Sequence, residues 1–170
     1  IITCCASCNG GVKEYYSTMK ADYGDFTGKV IDFNLFLAEQ GFIRKMAKLP
    51  KWNNRTRVTY HDPCHLKTQG ILKEPRELLR ALPNVEFVEM EGASACCGLG
   101  GTFSVYHYET SKAIGARKVA GLSESDAKLI ATACPGCIMQ LQDAINHAGL
   151  QVNAVHILDL VSEALDFTGE

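Results

Sequence analysis

Short β-branched apolar runs alternate along this chain with stretches in which apolar residues return at helical spacing. The pattern predicts strands over 1–3, 58–61, 85–90, 129–132 and 152–155. It predicts helices over 11–19, 31–48 with an interruption at Gly41, 75–82, 105–120, 138–147 and 157–165. Strands and helices in alternation are the mark of an α/β domain, a parallel sheet flanked by helices. Pro75 suits a first helical turn, and Gly149 suits the stop after 138–147. The polar, Pro-marked stretch "LPKWNNR" reads as a loop, and 51–57 as a linker. The Phe and Leu stripe in "FNLFLAEQGF" is helix packing.

The cysteines change the picture. There are eight, grouped as Cys4, Cys5 and Cys8, then Cys64, then Cys96 and Cys97, then Cys134 and Cys137. Each group follows the carboxyl end of a predicted strand, the edge of an open parallel sheet where ligands bind. Cys96 and Cys97 are adjacent, and neighbouring Cα atoms lie about 3.8 Å apart where a good disulfide needs roughly 5.5 to 6 Å. A chain of this size with ample apolar content needs no disulfide framework, so clustered thiols point to metal or redox chemistry.

A repetition runs through the same elements. Laid over "IATACPGC", the opening "IITCCASC" matches Ile1 with Ile130, Thr3 with Thr132, Cys5 with Cys134 and Cys8 with Cys137. Further on, "KVIDFNLFLAE" lies over "NAVHILDLVSE", with Glu39 on Glu163. The chain divides into 1–50, the C-terminal part of a first unit, and 58–170, a complete second one. The first residue is Ile rather than Met, which agrees with a fragment of a longer protein.

Charge and hydropathy exclude two classes of partner. A net charge of −2 without a basic stripe gives no footprint for nucleic acid. No apolar run approaches the roughly 18 to 20 residues that cross a bilayer. The expectation is a soluble, cytoplasmic protein that works with other proteins and meets a membrane only through them.

The surroundings "HDPCHL" and "ACCGLGGTF", with Cys64, Cys96-Cys97-Gly98 and Cys134-Pro-Gly-Cys137 in order, resemble the cysteine-rich CCG-domain family of iron–sulfur oxidoreductase subunits. Its members include catalytic subunits of heterodisulfide reductases and iron–sulfur subunits of glycolate oxidase, lactate-utilisation and anaerobic glycerol-3-phosphate dehydrogenase systems. The likeness runs strongly over 58–165, with 1–40 as the tail of the preceding CCG repeat. It implies a [4Fe–4S] cluster, non-cubane in the best-understood members, with Cys64, Cys96, Cys97, Cys134 and Cys137 as ligands and Cys5 and Cys8 as weaker candidates. The "CCGLGGTF" wording favours an electron-transfer domain of 2-hydroxy-acid (glycolate or lactate) oxidation, with a flavin dehydrogenase as partner and electrons passed through clusters to a carrier. The alternatives are a heterodisulfide or thiol reductase and, in another class, a zinc-stabilised or metal-free interaction module. The ferredoxin-like C-x-x-C-x-x-C-x-x-x-C-P segment that members often carry is absent from this sequence.

Chemistry assigns roles around that set. Thiolates hold iron, and cluster potential responds to charge, hydrogen bonds to sulfur and exposure. Gly98, Gly100 and Gly101 let the backbone turn sharply and bring N–H groups toward sulfur. Cys134 and Cys137 sit at the mouth of a helix, whose N–H groups lower a thiol pKa. Taken alone, Cys134-Pro-Gly-Cys137 also fits a redox disulfide or half a zinc site, although five thiols exceed zinc's usual four. Cys5 and Cys8, without the rest of their unit, fit an apo or disulfide-linked pair as well; Cys4 has no counterpart. Lys67 is the candidate cation, Asp62 a turn cap, and His61 and His65 hydrogen-bonding neighbours of the site. His156 reads as structural, and His107 and His147 as surface residues. "GLGGTF" lacks the pattern of a phosphate loop.

Overall fold

The computed structural model describes residues 1–19 and 26–166. The chain opens with β1 (Ile2–Thr3), which runs through Cys4 and Cys5 into α1 (Ala6–Gly10). A π-helical turn at Gly11–Tyr15 and a 3-10 turn at Tyr16–Thr18 follow. The expected helix over 11–19 therefore begins earlier, because Cys5 caps it: its sulfur accepts the Cys8 N–H at 3.4 Å.

The expected helix over 31–48 divides differently. Ile31–Asp32 forms β2, parallel to β1, and α2 (Phe33–Glu39) starts only where the Asp32 carboxylate accepts the Asn34 N–H at 2.8 Å. Gly41, at φ 69°, separates α2 from α3 (Phe42–Met46), as its position in the pattern predicted.

The second part of the chain builds a four-stranded sheet. β3 (Thr56–Tyr60) leads to α4 (Cys64–Thr68) and α5 (Lys73–Ala81), then β4 (Val85–Phe87). A long loop passes to α6 (Phe103–Tyr106) and α7 (Tyr108–Glu124), in place of one helix over 105–120. β5 (Leu129–Thr132), α8 (Pro135–His147), β6 (Asn153–His156) and α9 (Ile157–Asp166) complete it. All pairings are parallel, in the order β4-β3-β5-β6, so every strand ends on the same edge.

Helices cover the sheet, and the central strands are apolar as a parallel sheet requires. Val58 and Tyr60 of β3, Ile130 and Ala131 of β5, Leu78 and Leu79 of α5 and Ile145 of α8 are all fully buried. Each such aliphatic side chain contributes about 1.5–3 kcal/mol on burial. The N-terminal elements join this core directly, since the Ala6 N–H donates to the Ala133 carbonyl at 2.9 Å and the Phe33 ring lies 5.7 Å from that of His156. β1 pairs with β2 through Thr3 opposite Asp32, and β5 with β6 through Thr132 opposite His156.

Two contacts hold the loops at the sheet edge. Arg76 forks onto Asp62 at 2.6 and 2.9 Å, reaches Glu89 at 2.8 Å and lies 5.6 Å over the Tyr60 ring. Asp62, the expected turn cap, is thereby paired by an arginine from α5 while its side chain stays 3% exposed. On the other side, Gly121 of α7 lies so close to the Glu91 carbonyl that a Cβ would overlap its oxygen.

Replacing Arg76 with Ala strands the buried Asp62 carboxylate and is expected to cost about 3–5 kcal/mol, whereas Glu89→Ala, at the exposed end, costs under ~1 kcal/mol. Urea unfolding measures both; equal losses would show that Asp62 does not depend on Arg76. Gly121→Ala gains about 1 kcal/mol of helix propensity but drives a methyl into a backbone oxygen that no rotamer change can move. The net expectation is a loss of about 1–2 kcal/mol by the same measurement.

Candidate metal centre

Two strand ends and the long loop after a third strand deliver the thiols. Beyond β3 the chain continues in sheet-like pairing, with the His61 N–H on the Ala131 carbonyl at 2.9 Å and the Asp62 N–H on the Ala93 carbonyl at 3.1 Å. Pro63 then opens α4, whose first residue is Cys64. Beyond β5, Cys134 is the N-cap of α8, Pro135 occupies its first turn, and Cys137 lies one turn in. The loop after β4 brings Cys96 and Cys97 between them.

That loop rests on α7 along one helical face. The Ser111 hydroxyl donates to the Gly98 carbonyl at 2.9 Å, and a Cβ at Gly115 would stand 3.5 Å from the Cys97 carbonyl. Lys118 donates to the carbonyls of Gly92 and Ala93, and Gly121 abuts Glu91. Gly98 has φ 103°, and a Cβ there would lie 2.6 Å from the Ser111 carbonyl oxygen. Both facts require glycine, and the second shows that close approach to α7 sets this position. Gly100 and Gly101 also carry positive φ, at 54° and 61°.

The result is a cavity of about 60 Å³ lined by His61, Asp62, Cys64, Lys67, Ser94, Cys96, Cys97 and Cys137. At its floor, ligand atoms of His61, Cys97 and Cys137 all lie within 4.8 Å of one another, and all three residues are buried. Cys64 and Cys96 are exposed at the rim, with the Cys96 sulfur accepting the Gly98 N–H at 3.3 Å. Cys134 is buried, and its sulfur lies 3.3 Å from the Ser7 hydroxyl. All eight cysteines are free. A wider groove of about 170 Å³ along α7 and α8, lined by Lys112, Ala116, Ala144, His147 and Ala148, has no thiol.

The buried sulfurs are electrostatically unequal. Hydrogen bonding from Cys137, followed by that of His61 and the Leu99 N–H, overcomes burial and brings the Cys97 thiol down to about 4. Cys134 falls to about 5 through Cys137 first, then Ser7 and the N–H groups of Cys137 and Gly136 at the start of α8. Cys137, bonded to Cys134 and Cys97, is pushed up and keeps its proton. At the rim, burial raises Cys64. Cys5 rises to about 11, chiefly through burial. Thiolates readily formed beside a buried imidazole are a donor set for soft or borderline metals.

Other expected residues fall into place around this centre. Lys67 lines the cavity with its ammonium on the Ser94 carbonyl at 2.6 Å, and His65 packs against Gly10 of α1. His156 is structural, its Nε2 2.8 Å from the Cys4 carbonyl oxygen, while His107 and His147 are exposed beside Phe103 and Tyr108. Cys4 and Cys8 are exposed and Cys5 half-buried near Cys134. Sequence reasoning missed Ser7 and Lys118. Two glycines on one helix, Gly115 and Gly121, were the available signal that a backbone runs close along it.

No helix among the described residues is long and apolar enough to cross a membrane. The profile of the CCG cysteine-rich domain matches residues 58–142. A fumarate reductase (CoM/CoB) subunit from Methanothermobacter marburgensis is 35% identical over 96% of this chain and 32% of its own length. A probable glycolate oxidase iron–sulfur subunit from Bacillus subtilis is 36% identical over 96% of this chain and 38% of its own length. A subunit of the dihydromethanophenazine:CoB–CoM heterodisulfide reductase from Methanosarcina barkeri is 31% identical over 97% of this chain and 40% of its own length. The chain thus spans between about a third and two fifths of these relatives. With its sulfurs gathered at one sheet edge and the profile running from β3 into α8, the chain belongs to the CCG cysteine-rich domain family.

Proposed function

We propose that this chain is an iron–sulfur-cluster-binding electron-transfer domain of an oxidoreductase subunit. The observation that carries the reading is the convergence of His61, Cys97 and Cys137 ligand atoms within 4.8 Å, at the floor of a cavity rimmed by Cys64 and Cys96. The donor chemistry fits an iron–sulfur group: thiols predominate, they reach one cavity from three strands, and two of the buried ones are held toward the thiolate form. Cys64, Cys96, Cys97, Cys134 and Cys137 would hold a [4Fe–4S] group of the non-cubane kind, with His61 orienting Cys97. When bound, such a group accepts and releases single electrons.

The protein's own residues supply the setting. Helix α8 directs N–H groups at Cys134, the Asp62–Arg76 pair fixes the turn before Cys64, and α7 fixes the loop before Cys96. The glycolate oxidase and lactate utilization names among the relatives support 2-hydroxy-acid oxidation as the parent reaction; to this we add, as our own proposal, a flavin dehydrogenase as electron donor and a cytoplasmic setting. A thiol or disulfide reductase is the second reading, favoured by the exposure of Cys64 and Cys96 at the cavity mouth.

Residues 1–50 are the end of a first CCG repeat, 51–57 a linker whose last two residues already open β3, and 58–170 a full second repeat. The matching registers support this division, Thr3 facing Asp32 as Thr132 faces His156, together with Cys5 and Cys134 as N-caps of the following helices. Cys5 and Cys8 are the corresponding, weaker ligands.

Anaerobic reconstitution with iron and sulfide is expected to give brown protein with iron and acid-labile sulfide; colourless protein that takes stoichiometric zinc instead would sink the reading. Within the reconstituted series, Cys97→Ser is expected to lose most of its iron, while Cys4→Ser retains wild-type content. Equal iron in the two variants, measured by metal analysis and visible spectrum, would remove Cys97 from the ligand set.

A further inference from the structure

Lys118 is a buried cation without an obvious reason to be there. It is 2% exposed, on a helix whose opposite face is free to carry charged residues into water. Its ammonium donates to two backbone carbonyls, those of Gly92 and Ala93, the latter at 2.8 Å. Among the described residues no carboxylate lies within ion-pair distance of it, and the nearby Asp62 already carries the Arg76 fork. Burying an ammonium on neutral acceptors alone is expensive, so such groups persist where an anion offsets them.

The candidates for that anion are the thiols. Lys118 sits one turn beyond Gly115, which lies against the Cys97 carbonyl, and its second acceptor, Ala93, also receives the N–H of Asp62 two residues before Cys64. The charges of Cys97, Asp62, Cys137 and Cys96 all act to keep it protonated, against burial, which draws it down to about 8. Lys67, the cation suggested by position in the chain, is engaged at the surface instead, on the Ser94 carbonyl.

We propose that Lys118 is the fixed countercharge of the thiol centre, a positioning residue that favours the reduced, more negative state of the group held there. The proposal rests on the iron–sulfur reading above. Thiolates around an iron–sulfur core leave net negative charge, and each added electron deepens it. A buried positive charge stabilises the reduced form more than the oxidised one, because little water intervenes to screen it. Its two carbonyl bonds also hold the loop that presents Cys96 and Cys97, so charge and loop support must be separated experimentally.

Lys118→Gln keeps an amide donor for the carbonyls and removes the charge; Lys118→Met removes both. Each is reconstituted with iron and sulfide in the 170-residue chain beside wild type, assayed for iron and sulfide, and titrated by EPR against redox mediators. At a fixed potential near the wild-type midpoint, the ratio of reduced to oxidised centre is expected to fall about tenfold or more in Lys118→Gln, a shift of about 59 mV for a one-electron couple. Lys118→Met, if it alone folds and loads, serves for the same comparison. A loaded uncharged variant whose ratio stays within about twofold of wild type overturns the countercharge and leaves the iron–sulfur reading standing. Wild-type protein that binds neither iron nor sulfide overturns that reading and the role of Lys118 with it.

Discussion

Everything at the sulfur-bearing edge depends on how closely the backbone of residues 91–98 lies against α7. Ser111, Gly115, Lys118 and Gly121 fall on one face of that helix and meet this stretch in reverse order, from Gly98 back to Glu91. Two members lack a side chain, and the other two bond to carbonyls. A loop of this length would otherwise carry its polar backbone groups into water and leave its position free. Here its carbonyls are taken up by a rigid helix, so two adjacent cysteines arrive in a defined place without a strand to carry them.

The same principle of matched backbone contacts operates across the sheet edge. Ala131 receives His61, Ala93 receives Asp62, and Ala133 receives Ala6, so three segments beyond the strands are still laid side by side by N–H to carbonyl bonds. That last bond, with His156 on the Cys4 carbonyl, holds α1 beside the start of α8, where Ser7 meets Cys134. A residue of the N-terminal segment thereby becomes part of the electrostatic surroundings of a thiol far along the chain.

Much of this could be read in the amino acids, and what could not has identifiable causes. β-branched runs marked β1, β3, β4, β5 and β6 because such side chains suit a pleated sheet, with β3 and β5 the most buried, and the cysteine groups declared the working edge by following the strands. β2 was hidden because the apolar stripe of α2 begins immediately after it and absorbs its residues into one helical period. α1 was hidden because "ASCNG" has no helical apolar period; a sulfur cap and packing on α4 sustain it. Lys118 was hidden for a different reason. A lysine at helical spacing reads as solvated, and only the carbonyls of a loop far back along the chain turn it inward. Asp62 was legible as a polar turn residue, while its partner Arg76 lies on another helix.

The order β4-β3-β5 has a kinetic corollary. Cys64, Cys97 and Cys137 come from three successive elements that are distant along the chain, and they become neighbours only when β3 is flanked on both sides. The start of α8 already pairs Cys134 with Cys137, and Cys96 adjoins Cys97, but these groups and Cys64 meet only across parallel strands, which are joined through long crossovers. Contacts of such long sequence separation slow folding as a whole. The whole site therefore exists only in the assembled sheet, so any change that frees β4 or β5 from β3 separates Cys97 or Cys137 from Cys64 without touching a thiol.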